Sequence, residues 1–229
     1  MRRFGLLLAA LLAACSGLDE GEAGVVGLEV RVPGPDSVEI GESIQLAARP
    51  LNKDGDSVGA AVTWLSADPT ATIDATTGVL SGVSAGTARV QASVGALDSP
   101  LLTFTVVPPV DALVLTTDSV VALAAGVTAS PPLGVRLDNV VAGPLPSRSV
   151  IFAVTLPDPA AAPSPVVLLN GITADTVLTG ADGVAPNTLA LVAGATPPDS
   201  AIVTVRAVHI RGEDVAGSGQ RFIVRFAAP

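Results

Sequence analysis

The chain has 229 residues, a formal net charge of −9 and a hydrophobic fraction of 49%, which suits one or two domains with packed cores. Its single lysine and acidic balance leave no electrostatic footprint for nucleic acid, so that class of partner is excluded. One cysteine cannot staple a disulfide scaffold, and 23 Gly and 19 Pro punctuate the sequence too often for a long helix beyond the first fifteen residues.

At the N-terminus, Met1-Arg2-Arg3 is followed by an apolar run from Phe4 to Ala14. As a helix that run would rise only about 16 Å, against a hydrocarbon core of about 30 Å. A basic start, a short apolar stretch and small residues before a cut site describe a signal peptide. The last four positions, Leu12-Ala13-Ala14-Cys15, resemble the lipobox of bacterial lipoproteins. That resemblance implies cleavage before Cys15, a diacylglycerol on its sulfur and a fatty acid on the new amino group. Several acyl chains hold a protein durably at a bilayer where one would not. Ser16 follows the cysteine where Asp would imply retention, so the resemblance also implies outer-membrane sorting. Residues 1–14 are therefore expected to be a lipoprotein signal peptide, and residues 15–24 the acylated cysteine with a small, acidic, flexible tether. The expected address is the bacterial cell envelope, with the membrane contacted through the N-terminal lipid.

Residues 25–107 alternate apolar and polar side chains in short runs. Gly27 to Val32, Ser43 to Ala48, Val62 to Trp64 and Ala88 to Ala92 read as half-buried strands, because a period of two puts one face of a strand on a core. Turn clusters separate them: Gly34-Pro35-Asp36, Asn52 to Gly55, Ala67-Asp68-Pro69, Thr77-Gly78 and Ala85-Gly86. Many short strands at this spacing predict a sandwich or barrel. In order, Ile40 to Leu46, Val62-Thr63-Trp64-Leu65-Ser66-Ala67-Asp68-Pro69, Ala71 to Asp74, Gly78 to Val83 and Ala85 to Ala92 resemble the bacterial Ig-like domain, group 2. Leu65 departs from that pattern, which has a small polar residue there. Trp64 reads as a core anchor rather than a sugar-stacking platform, since a buried indole removes a large apolar area from water. Asp54, Asp56 and Asp68 read first as turn residues, with a weak cation site as the competing reading.

Pro108-Pro109 marks a boundary, and residues 108–229 read as a second sandwich. Strand-like runs fall at Ala112 to Leu115, Val120 to Leu123, Ser149 to Val154, Val166 to Leu169, Thr188 to Val192, Ala201 to Val208 and Arg221 to Phe226. In the last, Phe222, Val224 and Phe226 alternate with Arg221, Ile223 and Arg225, which reads as an edge or terminal strand blunted by outward arginines. Gly143 to Phe152, Thr179-Gly180-Ala181-Asp182-Gly183-Val184-Ala185 and Thr204 to Ala207 resemble the invasin/intimin-type bacterial Ig-like domain, group 1. Asp158 to Ile172 is longer and richer in proline than that pattern.

The expected fold is thus all-β, two tandem immunoglobulin-like antiparallel β-sandwiches after a lipoprotein signal peptide. No enzyme, metal site or cofactor is expected. His209 is the only histidine and has no nucleophile or second ligand near it in sequence, so it reads as a surface-loop residue. The expected role is a non-catalytic binding or adhesion module for a protein or polysaccharide, the alternative being a structural spacer or accessory subunit of an envelope assembly. Arg206, Arg211, Arg221 and Arg225 cluster near the C-terminus and are the expected partner-binding residues, because arginine is enriched at binding hot spots.

Overall fold

The computed structural model describes residues 24–160 and 165–227. Leu12, Ala13, Ala14 and Cys15 lie outside the described residues. Among those described, every regular element is a strand, and no helix is long and apolar enough to cross a membrane.

The first ten strands in chain order are β1 (Gly27–Arg31), β2 (Ser37–Glu39), β3 (Ser43–Gln45), β4 (Ala47–Leu51), β5 (Thr63–Ser66), β6 (Ala71–Ile73), β7 (Val79–Gly82), β8 (Gly86–Val94), β9 (Leu97–Asp98) and β10 (Leu102–Val107). Alternation makes these strands. In β8, Ala88, Val90 and Ala92 are fully buried while Thr87 and Arg89 are exposed. β3 and β4 are halves of one run, separated at Leu46, whose N–H carries the β3–β7 register on to the Gly78 carbonyl before β4 pairs with β1. The sheets are β1–β4 and β3–β7–β6 on one side and β2–β10–β8–β5 on the other, with β9 hairpinned onto β8. In lettered form this is A-B-E-D against A′-G-F-C, the arrangement of an immunoglobulin-like sandwich.

The remaining strands are β11 (Ala112–Leu115), β12 (Val120–Ala122), β13 (Leu133–Asn139), β14 (Gly143–Pro144), β15 (Ser149–Leu156), β16 (Val167–Leu169), β17 (Ala174–Leu178), β18 (Val184–Asn187), β19 (Leu189–Leu191), β20 (Ser200–Arg206) and β21 (Arg221–Arg225). One sheet runs β12–β21–β20–β15–β17. Opposite it, β11–β13–β14 with β18 on β13 forms a second sheet, and β16 pairs with β19. This again separates A-B-E from A′-G-F-C-C′. The segment flagged as unusually long in the sequence is where the order departs: β16 precedes β17 in the chain, so the D-like strand comes before the C′-like one.

Phe152 and Phe222 are fully buried in the core of this sandwich, among Leu133, Val135, Leu137, Leu169 and Leu189. Each such side chain contributes about 1.5–3 kcal/mol by leaving water. Pro108 and Pro109 cannot donate, but their carbonyls accept from Arg148 (2.7 Å) and Asn139 (3.1 Å).

Two compact units result. Residues 24–36 with Gly41–Thr105 form one, and Ser37–Ile40 with residues 106–227 form the other. Ser37–Ile40 thus clusters with the second unit although β2 pairs with β10 in the sheet of the first sandwich. A second finding differs from expectation: β21 is not an edge strand. β12 runs parallel along its outer side, with Val120 opposite Ile223 and Ala122 opposite Arg225. Three residues of β12 lie too far back in the sequence for the alternation of β21 to reveal them.

Candidate functional site

The sheet β12–β21–β20–β15–β17 sorts its side chains by period two. Val150, Phe152, Val154, Ala201, Val203, Val205, Phe222 and Val224 point into the core and are buried. The other parity faces out. The registers Thr204↔Arg221, Ile202↔Ile223, Ser200↔Arg225, Ile151↔Arg206 and Ala153↔Thr204 place those residues side by side on one surface. β17 adds Ala174, Thr176 and Leu178, and β12 adds Val120 and Ala122. The result is an open sheet face whose middle is Ile151, Ile202 and Ile223, all half-buried, with Val120 (46% exposed) and Leu178 (60% exposed) toward its sides.

No outward strand position on this face holds an acidic residue. Asp175, the one acid in these five strands, pairs with Phe152 on the opposite parity, and its Oδ2 accepts from Asn170 (2.7 Å) and Asn187 (3.0 Å). The charged residues of the face are Arg206, Arg221 and Arg225. Arg206 donates to Asp214 with both side chains at least half exposed, so the pair holds little energy. Arg221 and Arg225 are exposed and make no side-chain hydrogen bond or ion pair among the described residues.

Arg211 does not join them. It is half-buried, and its Nη2 donates to the Ser37 carbonyl at 3.0 Å. His209 differs from the surface-loop expectation in the same way: its Nδ1 lies 2.7 Å from Oε2 of Glu39, which is only 6% exposed. The turn carrying both residues is closed by His209 N–H to the Glu213 carbonyl and Gly212 N–H to the His209 carbonyl. Burial pushes the Arg148 guanidinium below its ordinary range, partly offset by the charge of Glu39. Glu39, His209 and Arg211 thus hold the fold of the second unit together.

In the first unit Trp64 is 4% exposed and anchors the core. Asp68 is taken up by Arg89, whose Nη2 and Nε reach its two oxygens at 2.8 and 2.9 Å. The hydrogen bond from that guanidinium holds the Asp68 carboxyl below the usual range. Asp54 pairs with Lys53. Asp54 and Asp56 both use their N–H groups to close the loop on Asn52 Oδ1.

No family model matches the chain, and no curated protein matches it either. Solved structures do match. The adhesin InvE of Yersinia pseudotuberculosis is 18% identical with a TM-score of 0.41, over 91% of this chain and 61% of that one. The likeness is one of fold alone. Domains 4 and 5 of the S-layer protein SbsC are 16% identical, with a TM-score of 0.33 over 90% of this chain and 100% of theirs. The fibronectin(III)-like modules of Clostridium thermocellum CbhA are 15% identical, with a TM-score of 0.39 over 87% of this chain and 93% of theirs. The chain spans about three fifths of the adhesin's length. The immunoglobulin-like assignment stands on the strand order.

The sequence points to the arginines and sets Ile223 on their side of β21, but it does not single out Ile151, Ile202 or Glu39. The signal for the isoleucines is present: each shares the outward parity of an arginine or threonine on its own strand or across the register. Glu39 carries no such signal, because its partner is 170 residues away.

Proposed function

We propose that the chain is a non-catalytic, lipid-anchored envelope protein that binds a macromolecular partner through the outward face of β12–β21–β20–β15–β17. The observation that carries the binding reading is that face: apolar at its centre and edged by Arg206, Arg221 and Arg225, the last two without a carboxylate partner among the described residues, in an acidic chain. An extended sheet face suits a macromolecule better than a small substrate, whose sites are concave. The anchoring reading rests on Leu12-Ala13-Ala14-Cys15, with outer-membrane sorting suggested by Ser16.

Metabolic labelling with a palmitate analogue tests the anchor. The wild-type protein should take up label and partition into detergent, and the Cys15→Ser variant should do neither. An unlabelled wild-type protein with an intact N-terminus would remove the anchor from the proposal. Protease shaving of intact cells then separates a surface-facing adhesion role from a periplasmic one. A spacer or accessory role would leave the arginine face dispensable for every association the protein makes.

A further inference from the structure

We infer that the partner of this face is a protein whose footprint is acidic around an apolar centre; the inference rests on the binding-module reading above. Three observations point to it. First, the charge is one-signed where the rest of the chain is not: 21 acidic residues against 12 basic ones, yet none of the acids occupies an outward position of these five strands. Chance placement in so acidic a chain would put carboxylates here as readily as elsewhere. Second, Arg221 and Arg225 have no side-chain partner among the described residues, whereas Arg31, Arg49, Arg89, Arg136 and Arg206 each have a carboxylate. A guanidinium presents a planar fork that matches a carboxylate in two parallel bonds. Third, the arginines bracket isoleucines. Arg225 lies four residues from Arg221, about 13 Å along the strand, with Ile223 between them. Arg206 is the diagonal neighbour of Arg221, with backbones roughly 7–8 Å apart.

An apolar middle with a cationic rim is the layout of a protein–protein footprint. At about 3.4 Å by 4.8 Å per residue, the five strands cover about 450 Å² in plan. That is over half of the roughly 800 Å² per partner of a standard interface, so the loops that border the sheet would complete the footprint. An anionic glycan would meet the arginines but gain nothing from the isoleucines, and the outward positions hold no aromatic ring for a sugar to stack on. A second copy docked face to face would set arginine near arginine, a like-charge arrangement that costs energy.

The experiment is site-specific photo-crosslinking in the cells that make the protein, with the full chain. A photoreactive side chain replaces Ile223 in one strain, Leu65 in a second and Val141 in a third. The last two are exposed, at 66% and 95%, and lie off the face. Crosslinked products are identified by mass spectrometry. The expected result is one protein adduct at position 223, net acidic and different from this chain. Its yield should fall by about tenfold in the Arg221→Glu/Arg225→Glu background, recover with Arg221→Lys/Arg225→Lys, and fall with added salt. Secretion and thermal melting of the charge-reversed variant check that it folds, since both positions are exposed. A glycan, lipid or self adduct at 223, or a protein adduct indifferent to charge reversal, overturns this inference while leaving a binding module standing. Adducts only at 65 or 141 likewise move the surface elsewhere. Absence of any adduct at all three positions overturns the binding reading itself.

Discussion

Gly78 occupies the left-handed region at φ +74°, and a Cβ there would lie 2.7 Å from Trp64 Nε1 and 3.0 Å from the Leu46 carbonyl oxygen. The residue therefore does two things at once: it turns the chain before β7 and lets the backbone lie against the indole. Gly78→Ala should destabilise the first sandwich by roughly 2–4 kcal/mol, from backbone strain plus overpacking. Urea titration followed by the fluorescence of the single tryptophan measures it directly. Acid reports on three other residues of that unit. The Arg49 hydrogen bond lowers the Glu29 pKa, the Arg89 hydrogen bond lowers that of Asp68, and the Thr77 N–H lowers that of Asp74. A depressed folded pKa means the charged form is favoured by folding. The stabilisation is complete above the ordinary carboxylate range and is lost as pH falls below about 4 through the folded values. The melting of the first sandwich, read by the fluorescence of Trp64, should thus move down between pH 5 and pH 2, and Asp68→Asn should flatten that dependence. A pH-independent melt over this interval would contradict the ion-pair assignment.

At the scale of the strand, edges need guarding, and the two sandwiches do so unequally. β17 ends its sheet with Asp175 pointing inward, a charge that opposes pairing with a second sheet. β5 ends its sheet with Leu65, which is 66% exposed. The departure from the group 2 pattern at this position is therefore an exposed apolar side chain on an end strand whose edge is covered only at Trp64, by the Ala75 carbonyl. Leu65→Lys should leave the melting midpoint within about 0.5 kcal/mol of wild type and slow aggregation at high concentration. Light scattering during a thermal ramp distinguishes the two variants. The strands themselves were unevenly legible. β8, β20 and β21 alternate strictly, because one side of each packs on a core and the other meets water. β13 escaped notice although Leu133, Val135 and Leu137 alternate with Gly134, Arg136 and Asp138. It starts immediately after Pro131-Pro132, which reads as loop, and it has a glycine as its second residue. β12 and β17 are short runs whose place beside β21 and β15 is fixed only by pairing.

For the molecule as a whole, Ser37–Ile40 is the segment with ties to both units: β2 pairs with β10, yet it clusters with the second unit. It belongs with the second unit, where Glu39 meets His209 and the Ser37 carbonyl meets Arg211. Removing either side chain takes away a hydrogen bond whose carboxylate member is buried. Glu39→Ala and His209→Ala should each destabilise the second unit by roughly 1–3 kcal/mol. The double variant should cost less than their sum, with a coupling of about 0.5–3 kcal/mol in a mutant cycle. A fragment beginning at residue 108 lacks Ser37–Ile40 and should unfold at lower denaturant than the second unit within the full chain. Additive single variants, or a fragment as stable as the full chain, would show that the pair does not tie this segment in.

Composition, alternation and turn residues determined that the chain is all-β, where most strands run and which side of each faces water, because those properties depend on residues two to ten positions apart. The lipobox reading of Leu12-Ala13-Ala14-Cys15 rests on local order alone and awaits the labelling experiment. Tertiary structure decided what depends on distant residues. It set the parallel strand that covers β21, assigned Ser37–Ile40 to the second unit and paired His209 with Glu39. It also gathered Arg206, Arg221 and Arg225 with three isoleucines while drawing Arg211 away. Alternation records whether a side chain is in or out, but not which strand lies beside it; hydrogen-bond register supplies that neighbour, and register is settled only when the whole sheet closes.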